Sequence, residues 1–475
     1  MPGPALLFTR PGLFTLDQLH GIEAGALRLL AEVGLLVRSE ELARRLRGRA
    51  YRWQGDRVLL EPQVVREYLE GVRRGNGDSF STEPLTVSAE PVLTLSTLCY
   101  SQYLHDPETD RLLPFTTERL IEATKLVQVA AAEGLAAQVP GCPQDVPPDL
   151  ATVVQCWVDA TYCGSGFVGD VHTRRNLPYL MDVARIFGKE ITGQVVYAVT
   201  PLTLGSEGLE NVFAFEDRWQ WIAVGNMAAM GVTAPLRVGD AFALLAAEVI
   251  GAAVLLQDVT GIPTHFGLRL CPADLRTLFL TLGTPEDVLL QFANAEVNAF
   301  FHGTRCSPAV SGVHTMAKLP GAQSCGEKAS QITLGALLGA RHFGLAGGLS
   351  LDEVFSPEQL MYDLEMRDNV QRLVAGLRVD DCEPDRCVAE AREALAGHGF
   401  ASLDSTLDHY REVYWHPRLY ERDLLMAWRQ GGSVPIRERA KARVRELVAR
   451  HEFHLPDDQQ QAMDDILAQA RAELG

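Results

Sequence analysis

From about Gly134 onward the chain alternates between two kinds of segment. Short apolar runs recur at Leu135–Pro140, Gly164–Val168, Gln194–Thr200, Asn226–Val232, Pro263–Leu268, Ala299–His302 and Arg341–Ala346. Between them lie stretches of helical spacing such as LPYLMDVARIFGK and GDAFALLAAEVIGAAVLLQDV. Short apolar runs bounded by turn residues read as buried strands. A helix between two strands carries the chain back to the starting edge, so the strands are expected to pair in parallel. Two architectures satisfy this pattern, an open parallel sheet and a sheet closed into a barrel. The runs number seven, so a barrel needs one more strand, before Gly134 or after Gly376 (LRVDD or HGFASLD).

The two ends differ from this repeat. Residues 15–47 read as a helix, a turn at Gly34 and a short helix, with Leu19, Ile22, Ala26, Leu29, Leu30 and Val33 on one apolar face. A short strand at Val58–Glu61 precedes a helix opened by Pro62. YLHDPETDRLLPF reads as a hairpin around DPETD, and Thr116/Thr117 precede another helix. From Asp352 on the chain is helical and charged. Residues 1–133 are therefore read as an N-terminal α/β cap, 134–350 as the main α/β core, and 351–475 as its closure and a C-terminal helical extension.

Bulk properties narrow the function. The chain carries 43 basic and 61 acidic residues, a net charge of −18. Such a surface disfavours non-specific binding to nucleic acid or to an anionic membrane. Pro and Gly interrupt the N-terminal MPGPALLFTRPGLF, which therefore does not read as an export signal. The apolar stretch Ala241–Gln257 is interrupted by Glu248 and reads as a buried helix too short to span a bilayer. Nine dispersed cysteines without a CxxC pair suit a reducing cytoplasm. Cys306 and Cys325 flank His314 at a spacing that matches no compact zinc pattern. No GxGxxG opens a βα turn, and GxxxxGK[ST], GxSxG and HExxH are all absent.

The richest chemistry lies between Asn298 and Leu349, read as strand (Ala299–Phe301), polar loop, helix (about Ser324–Leu338) and strand. His302, Arg305, His314, Lys318, Gln323 and Glu327 fall in this stretch, with Gln331 one turn beyond Glu327. In parallel α/β folds, loops after the strands build the site. His302 and His265 stand at the ends of expected strands, as do Asp170 and His172. Glu327, His302 and His265 are the candidate catalytic groups, and Arg305 or Lys318 is a candidate carboxylate binder. Tyr197, Phe266, Phe300, Phe301 and Phe343 are candidates for an aromatic cage around a methylammonium group. Each has a plainer reading: a hydrogen-bonded core histidine, a solvated loop charge, a carboxylate at a helix N-terminus, or an aromatic filling the core.

The sequence also resembles the trimethylamine methyltransferase (MttB-like) family over almost its whole length. The likeness is carried by LRLLAEVGLLVRSEELARRL with RVLLEPQVVREYL, by YLHDPETDRLLPFTTERLIEATKL and by MGVTAPLRVGDAFALLAAEVIGAAVLLQ. The closing LDSTLDHYREVYWHPRLYERDLLMAWRQGGSVPIRERAKARVRELV is similar to that family's last segment. In the polar loop, TMAKLPGAQSCGEK matches a family run through Lys318, Pro320, Gln323 and Glu327, with Met316 and Gly321 where the family often has Asp.

The resemblance implies a TIM-type (β/α)8 barrel, with the N-terminal α/β cap and C-terminal helical extension around it. It implies an enzyme that moves a methyl group from a methylated amine to the cobalt(I) of a separate corrinoid protein, with no tightly bound cofactor or metal of its own. The sequence has no pyrrolysine and so resembles the branch acting on quaternary, betaine-like amines. A quaternary nitrogen leaves as a neutral tertiary amine and requires no proton donor, so the protein mainly positions one methyl and excludes water. Tyr197, Phe266, Phe301, Arg305, His314, Lys318, Gln323, Gln331 and Phe343 are the expected substrate-binding residues. The expected partners are the amine, a cognate corrinoid protein and further copies of this chain in a homo-oligomer, without nucleic acid or membrane. Two competing readings are a metal-assisted lyase or hydrolase using His265, His302 and Glu327, and a non-catalytic binder of methylammonium compounds.

Overall fold

The computed structural model describes residues 7–8, 10–84, 92–169, 172–307, 310, 312–377, 379, 381–397 and 399–475. Its architecture is mixed α/β. The parallel pairing that positions the candidate site runs through β1 (Thr94–Ser96), β2 (Leu135–Ala136), β3 (Gly193–Tyr197), β4 (Trp221–Ala229), β5 (Thr264–Cys271) and β6 (His342–Phe343). β3, β4 and β5 form one parallel sheet, with Gly225 opposite both Tyr197 and Gly267, and Met227 opposite Arg269. β6, β1 and β2 form a second, also parallel, in which His342 pairs with Thr94 and Leu95 with Leu135. A parallel bridge joins Gly312 to Gly344. The extra parallel strand thus comes from before Gly134, within the segment read as a cap.

Three helices matter most for the site: α1 (Val238–Thr260), α2 (Pro285–His302) and α3 (Ala322–Leu337). α1 is longer than its apolar stretch suggested. At 23 residues it is long enough to cross a membrane by length and composition, but 83% of its most apolar window is buried inside the fold. It packs on the helix Leu16–Glu32, whose start is fixed by a capping box of Thr15 and Gln18. A Cβ at Gly25 would lie 2.9 Å from that of Ala243, so glycine permits this close approach. Glu248, fully buried in α1, accepts from Thr200 Oγ1 (2.9 Å), Leu202 N (2.9 Å) and Asn226 Nδ2 (2.8 Å). The charge that interrupts the apolar run therefore ties α1 to β4 and to the loop after β3.

Two expected strands are not formed. Ala299–His302 is the last turn of α2, not a strand. Thr284 caps this helix, Pro285 opens it, Glu286 and Asp287 occupy its first turn, and Gly303 ends it with φ 66°. The run Ala299–Phe301 is continuously apolar because the helix is covered on both faces, which mimics a buried strand. Gly164–Val168 carries no strand, and Gly164, Gly166 and Gly169 have φ of 67°, 70° and 85°, incompatible with an extended ladder. The other apolar runs hold strands, and the Tyr103–Asp106/Arg111–Pro114 hairpin and the helices opened by Pro62 and Thr117 form as the sequence indicates.

α2 fills an unusual role. It lies along the edge of β5, and one face of it supplies the missing ladder partners. Asn298 exchanges two bonds with Leu268 (Leu268 N to Oδ1 3.1 Å, Nδ2 to Leu268 O 2.9 Å). Asn294 does the same with Leu270 (2.8 and 2.9 Å), and His302 Nε2 reaches Phe266 O at 2.9 Å. Residues four apart lie on one helix face, and alternate residues of a strand offer their backbone to one edge, so the two repeats mesh. The other side of α2 carries Glu296, fully buried, which accepts from Arg10 Nη1 (2.5 Å) and from the backbone N–H groups of Leu13 and Phe14.

Apolar side chains collect in two large cores. One surrounds α1 and β3–β5, and the other surrounds β1, β2, β6 and the C-terminal helices Ile436–Ala449 and Asp457–Leu474. The helices Asp404–Val413 and Leu425–Gln430 bury no side chain.

Replacing Asn298 by Ala removes the partners of both the N–H and the C=O of the buried Leu268. Asn298→Ala is expected to cost about 2–3 kcal/mol of unfolding free energy, read from urea titration, and Asn298→Asp, which sets a carboxylate oxygen against the carbonyls of Leu268 and Asn294, to cost at least as much.

Candidate functional site

The strand face that points away from α1 is nearly bare. Along β5 burial alternates, with Thr264, Phe266, Leu268 and Leu270 packed beneath and His265, Gly267 and Arg269 on the open side. On β4 the open side carries Trp221, Ala223, Gly225 and Met227, and on β3 it carries Val195 and Tyr197. Gly225 and Gly267 stand side by side in register. A Cβ at Gly225 would meet the Tyr197 ring at 3.3 Å, so glycine there lets that ring lie flat across the strand.

Above this face is a cavity of about 1030 Å³. Tyr197, Met227 and Arg269 line it from β3, β4 and β5, and His342 and Gly344 from β6 and its extension. Leu98 and Tyr100 follow β1, and His314 and Asp352 come from loops. The remaining wall is α2, which presents Gln291, Asn294, Asn298 and His302. A helix stands here because its amides have taken over the edge of β5.

The sequence candidates separate sharply. Tyr197, His302, Arg305 and His314 line the cavity. Tyr197 is the one cage aromatic presented to it, 62% exposed, whereas Phe266, Phe300, Phe301 and Phe343 are core residues. Phe266 stacks on the ring of His302 (centroids 4.3 Å apart, 17° between planes). That stack and its bond to Phe266 O hold the half-buried His302 in place on the cavity wall; burial keeps its pKa below the ordinary value, the Phe266 bond opposing. His265 lies away from the main cavity, in a smaller one of about 410 Å³ shared with Tyr68, Phe266 and His302.

The remaining candidates build the loop behind the cavity. Glu327 accepts from Thr315 Oγ1, from Met316 N (3.1 Å) and from Gln323 Nε2 (2.9 Å). Gln331 pairs with both backbone groups of His314, at 3.2 and 2.8 Å. Lys318 donates to Ser350 Oγ at 2.8 Å. Lys328, fully buried, reaches Asp363 at 2.7 Å and Leu345 O at 3.0 Å, holding α3 beneath the loop after β6. Thus Glu327, Gln331 and Lys328 fix residues 314–316 and 345 from below. Asp170 lies outside the described residues, and His172 bonds Gly169 O at 3.0 Å.

His314 is the most perturbed of these groups. It is 7% exposed. Burial, with the positive charges of Arg269 and Lys328, pushes its pKa down to about 3. Arg269 Nη2 lies 3.3 Å from its Nε2. A guanidinium only donates, so Nε2 accepts and the neutral ring carries its proton on Nδ1. Asp352 at the rim has its pKa raised by burial.

The metal reading finds no support in this arrangement, since Glu327 lines neither cavity. Among the described residues one trio brings ligand atoms within 4.8 Å of one another: His105, Asp110 and Glu358. Arg437 ion-pairs with both of its carboxylates, which neutralises it as a cation site.

A family model described as trimethylamine methyltransferase (MTTB) matches residues 8–475. The chain belongs to that family. It is 22% identical to the glycine betaine methyltransferase of Desulfitobacterium hafniense (strain Y51), over 99% of each chain. It is 27% identical to trimethylamine methyltransferase MttB2 of Methanosarcina mazei, over 56% of this chain and 52% of that one. It is 25% identical to the proline betaine:corrinoid methyltransferase of Eubacterium limosum, over 55% of this chain and 53% of that one. The chain therefore spans about half the length of the latter two relatives in those alignments.

Within this methyltransferase-family chain, sequence reading missed Arg269, Tyr100, Met227, His342 and Asp352. Arg269 had a usable signal. Continuing the alternation of THFGLRLC two residues past Leu268 places it on the face of His265 and Gly267. Tyr100 and Asp352 sit on irregular segments, where no period marks a facing side.

A histidine whose folded pKa is depressed binds its proton in the unfolded chain first. The stability it contributes is complete above about pH 6.5 and is lost as pH falls toward 3, by about 1.4 kcal/mol per unit. His314→Gln is therefore expected to flatten the fall in unfolding free energy between about pH 6 and pH 4, measured by urea titration at each pH.

Proposed function

We propose that this chain transfers a methyl group from a quaternary, betaine-like amine to the cobalt of a partner corrinoid protein, on a sheet closed as a (β/α)8-type barrel. The closure is supported by the parallel pairing of β6, late in the chain, with β1, near its start. The reaction class is supported by the family and by the names of its glycine betaine and proline betaine relatives.

The observation that carries the reading is the bare strand face under Tyr197. A quaternary ammonium has no N–H to donate, so a protein binds it through aromatic faces, not hydrogen bonds. Tyr197 is an exposed ring over glycine, at the C-terminal end of its strand, with Tyr100 on the same cavity. The cavity is far larger than one small amine needs, which leaves room for a second reactant to approach one N-methyl.

Cobalt(I) supplies the nucleophile, and the amine leaves with its bonding electron pair as a neutral tertiary amine. The residues of this chain hold the cation, aim one methyl outward and keep water from the reacting carbon. Glu327, Gln331 and Lys328 act one layer back, as positioning residues for the His314 loop.

Incubation with cobalt(I) cobalamin and a panel of quaternary amines is expected to produce methylcobalamin, followed by absorbance. Tyr197→Ala should raise KM about 3- to 30-fold, the range of one desolvated cation–π contact, while Tyr197→Phe keeps most of the binding. Absence of methylcobalamin with every quaternary amine would overturn the assignment.

A further inference from the structure

Arg269 is held more firmly than a surface arginine and has less to do. It stands between Leu268 and Leu270, and the N–H and C=O of both are bonded to Asn298 and Asn294. The backbone on either side is therefore clamped to α2, and the Arg269 side chain leaves the strand on its open face. Among the described residues no carboxylate lies within 4.0 Å of its guanidinium. Its neighbours are Nε2 of the neutral His314 and the thiol of Cys271, which take up only part of its five-donor fork.

The acidic groups nearby are Asp287 and Asp352. Asp287 is spent on Gly283 N and Gln291 Nε2, at 2.9 and 3.1 Å. Asp352 lies at the cavity rim. A half-buried arginine on a cavity wall, with no carboxylate in contact among the described residues, is an anion receptor.

Register places this receptor relative to the ring. Tyr197 pairs across from Gly225, and Arg269 lies one strand further and two residues on. That separates the two by two strand spacings and two residue rises, on the order of 12 Å between backbones. Two long side chains close that span on a small zwitterion.

We propose that Arg269 is the specificity-determining residue of this site, binding a carboxylate on the substrate while Tyr197 faces its methylammonium group. The proposal rests on the methyl-transfer reading above for which compounds are tried, but not for its binding test. Neither Arg305 nor Lys318 fills this role. Arg305 lies at the exposed edge of the cavity, and Lys318 is bonded to Ser350 outside it.

The test compares glycine betaine with choline, its alcohol analogue of similar size, in wild type, Arg269→Gln and Arg269→Lys. Binding is measured by calorimetry without any corrinoid, and transfer by methylcobalamin formation from cobalt(I) cobalamin. Wild type is expected to prefer glycine betaine by at least 30-fold in Kd. R269Q should lose that preference while choline binding changes less than 3-fold, and R269K should fall between. Thermal unfolding of each variant separates a lost anchor from a lost fold, and R269K carries the test if R269Q does not fold. Equal binding of the two compounds by wild type, no binding of glycine betaine, or a preference retained in both variants would each overturn the proposal. Arginine-dependent betaine binding without methyl transfer would uphold the anchor and reject the reaction, whereas transfer with unaltered preference would do the reverse.

Discussion

Everything around the cavity depends on how the edge of β5 is satisfied. A parallel strand with an empty edge leaves N–H and C=O groups unpaired, each worth about 1–3 kcal/mol if buried. A parallel sheet normally resolves this with another strand. Here Asn294, Asn298 and His302, spaced four apart on α2, do so with side chains. An asparagine amide offers an N–H donor beside a carbonyl acceptor, with a second N–H to spare that Asn298 gives to Asn294 O, so it can replace a residue of a partner strand. The substitution has a steric consequence, because a helix is about twice as wide as a strand and cannot pack its side chains into the sheet interior in the same way. Gly225 and Gly267 add no bulk either, and an open volume remains where a barrel would be filled.

The buried charges follow a second rule. Glu248, Glu296, Lys328, Asp363 and Glu365 are all at most 2% exposed. A buried ion survives only if its hydrogen-bonding capacity is filled. Glu296 holds the N-terminal segment, and Glu248 holds the loop after β3. Glu365 accepts from the backbone N–H groups of Arg418, Leu419 and Tyr420. Asp363 accepts from Lys328 Nζ and Gly347 N, both at 2.7 Å. Each carboxylate fastens an irregular segment to a helix. That distinguishes them from catalytic acids, whose oxygens must be available to a substrate.

This division explains what was legible in the sequence. Helices with strong local signals, such as those capped by Thr15 and Thr116 or opened by Pro62, could be placed from sequence because their determinants lie within one turn. The run Ala299–Phe301 could not, because an apolar triplet has the same composition in a two-sided helix and in a buried strand. Only the pattern reaching back to Thr284 separates them. Among site residues, Tyr197 was visible as an aromatic near a strand end and His314 as part of the polar loop. The four phenylalanines were equally visible and proved to be core, since Phe266 and Phe343 are on the packed side of their strands and Phe300 and Phe301 belong to the helix α2. Glu327 and Gln331 belong to the right loop, but their side chains turn to its backbone, a choice made by tertiary contacts. Arg269 was hidden by being read as the residue after a strand when it lies within one.

The electrostatics of the cavity bear on why a substrate with two charges suits it. Arg269 and Lys328 act together on His314, and the result is a ring that stays neutral instead of a third positive charge. A protonated His314 would sit against Arg269 and repel a methylammonium group a few ångströms further on. Keeping the ring neutral adds no further positive charge beside the guanidinium of Arg269, on the far side of the bare strand face from Tyr197. A cation alone would feel that guanidinium as repulsion, with only aromatic rings and the half-buried Asp352 to offset it. A zwitterion of the right length converts the same repulsion into orientation, because only one of its two end-to-end placements is favourable. Orientation is what methyl transfer to an external nucleophile demands, since the leaving nitrogen must lie behind the attacked carbon. The arginine would then do more than hold the substrate: it would decide which end faces the ring.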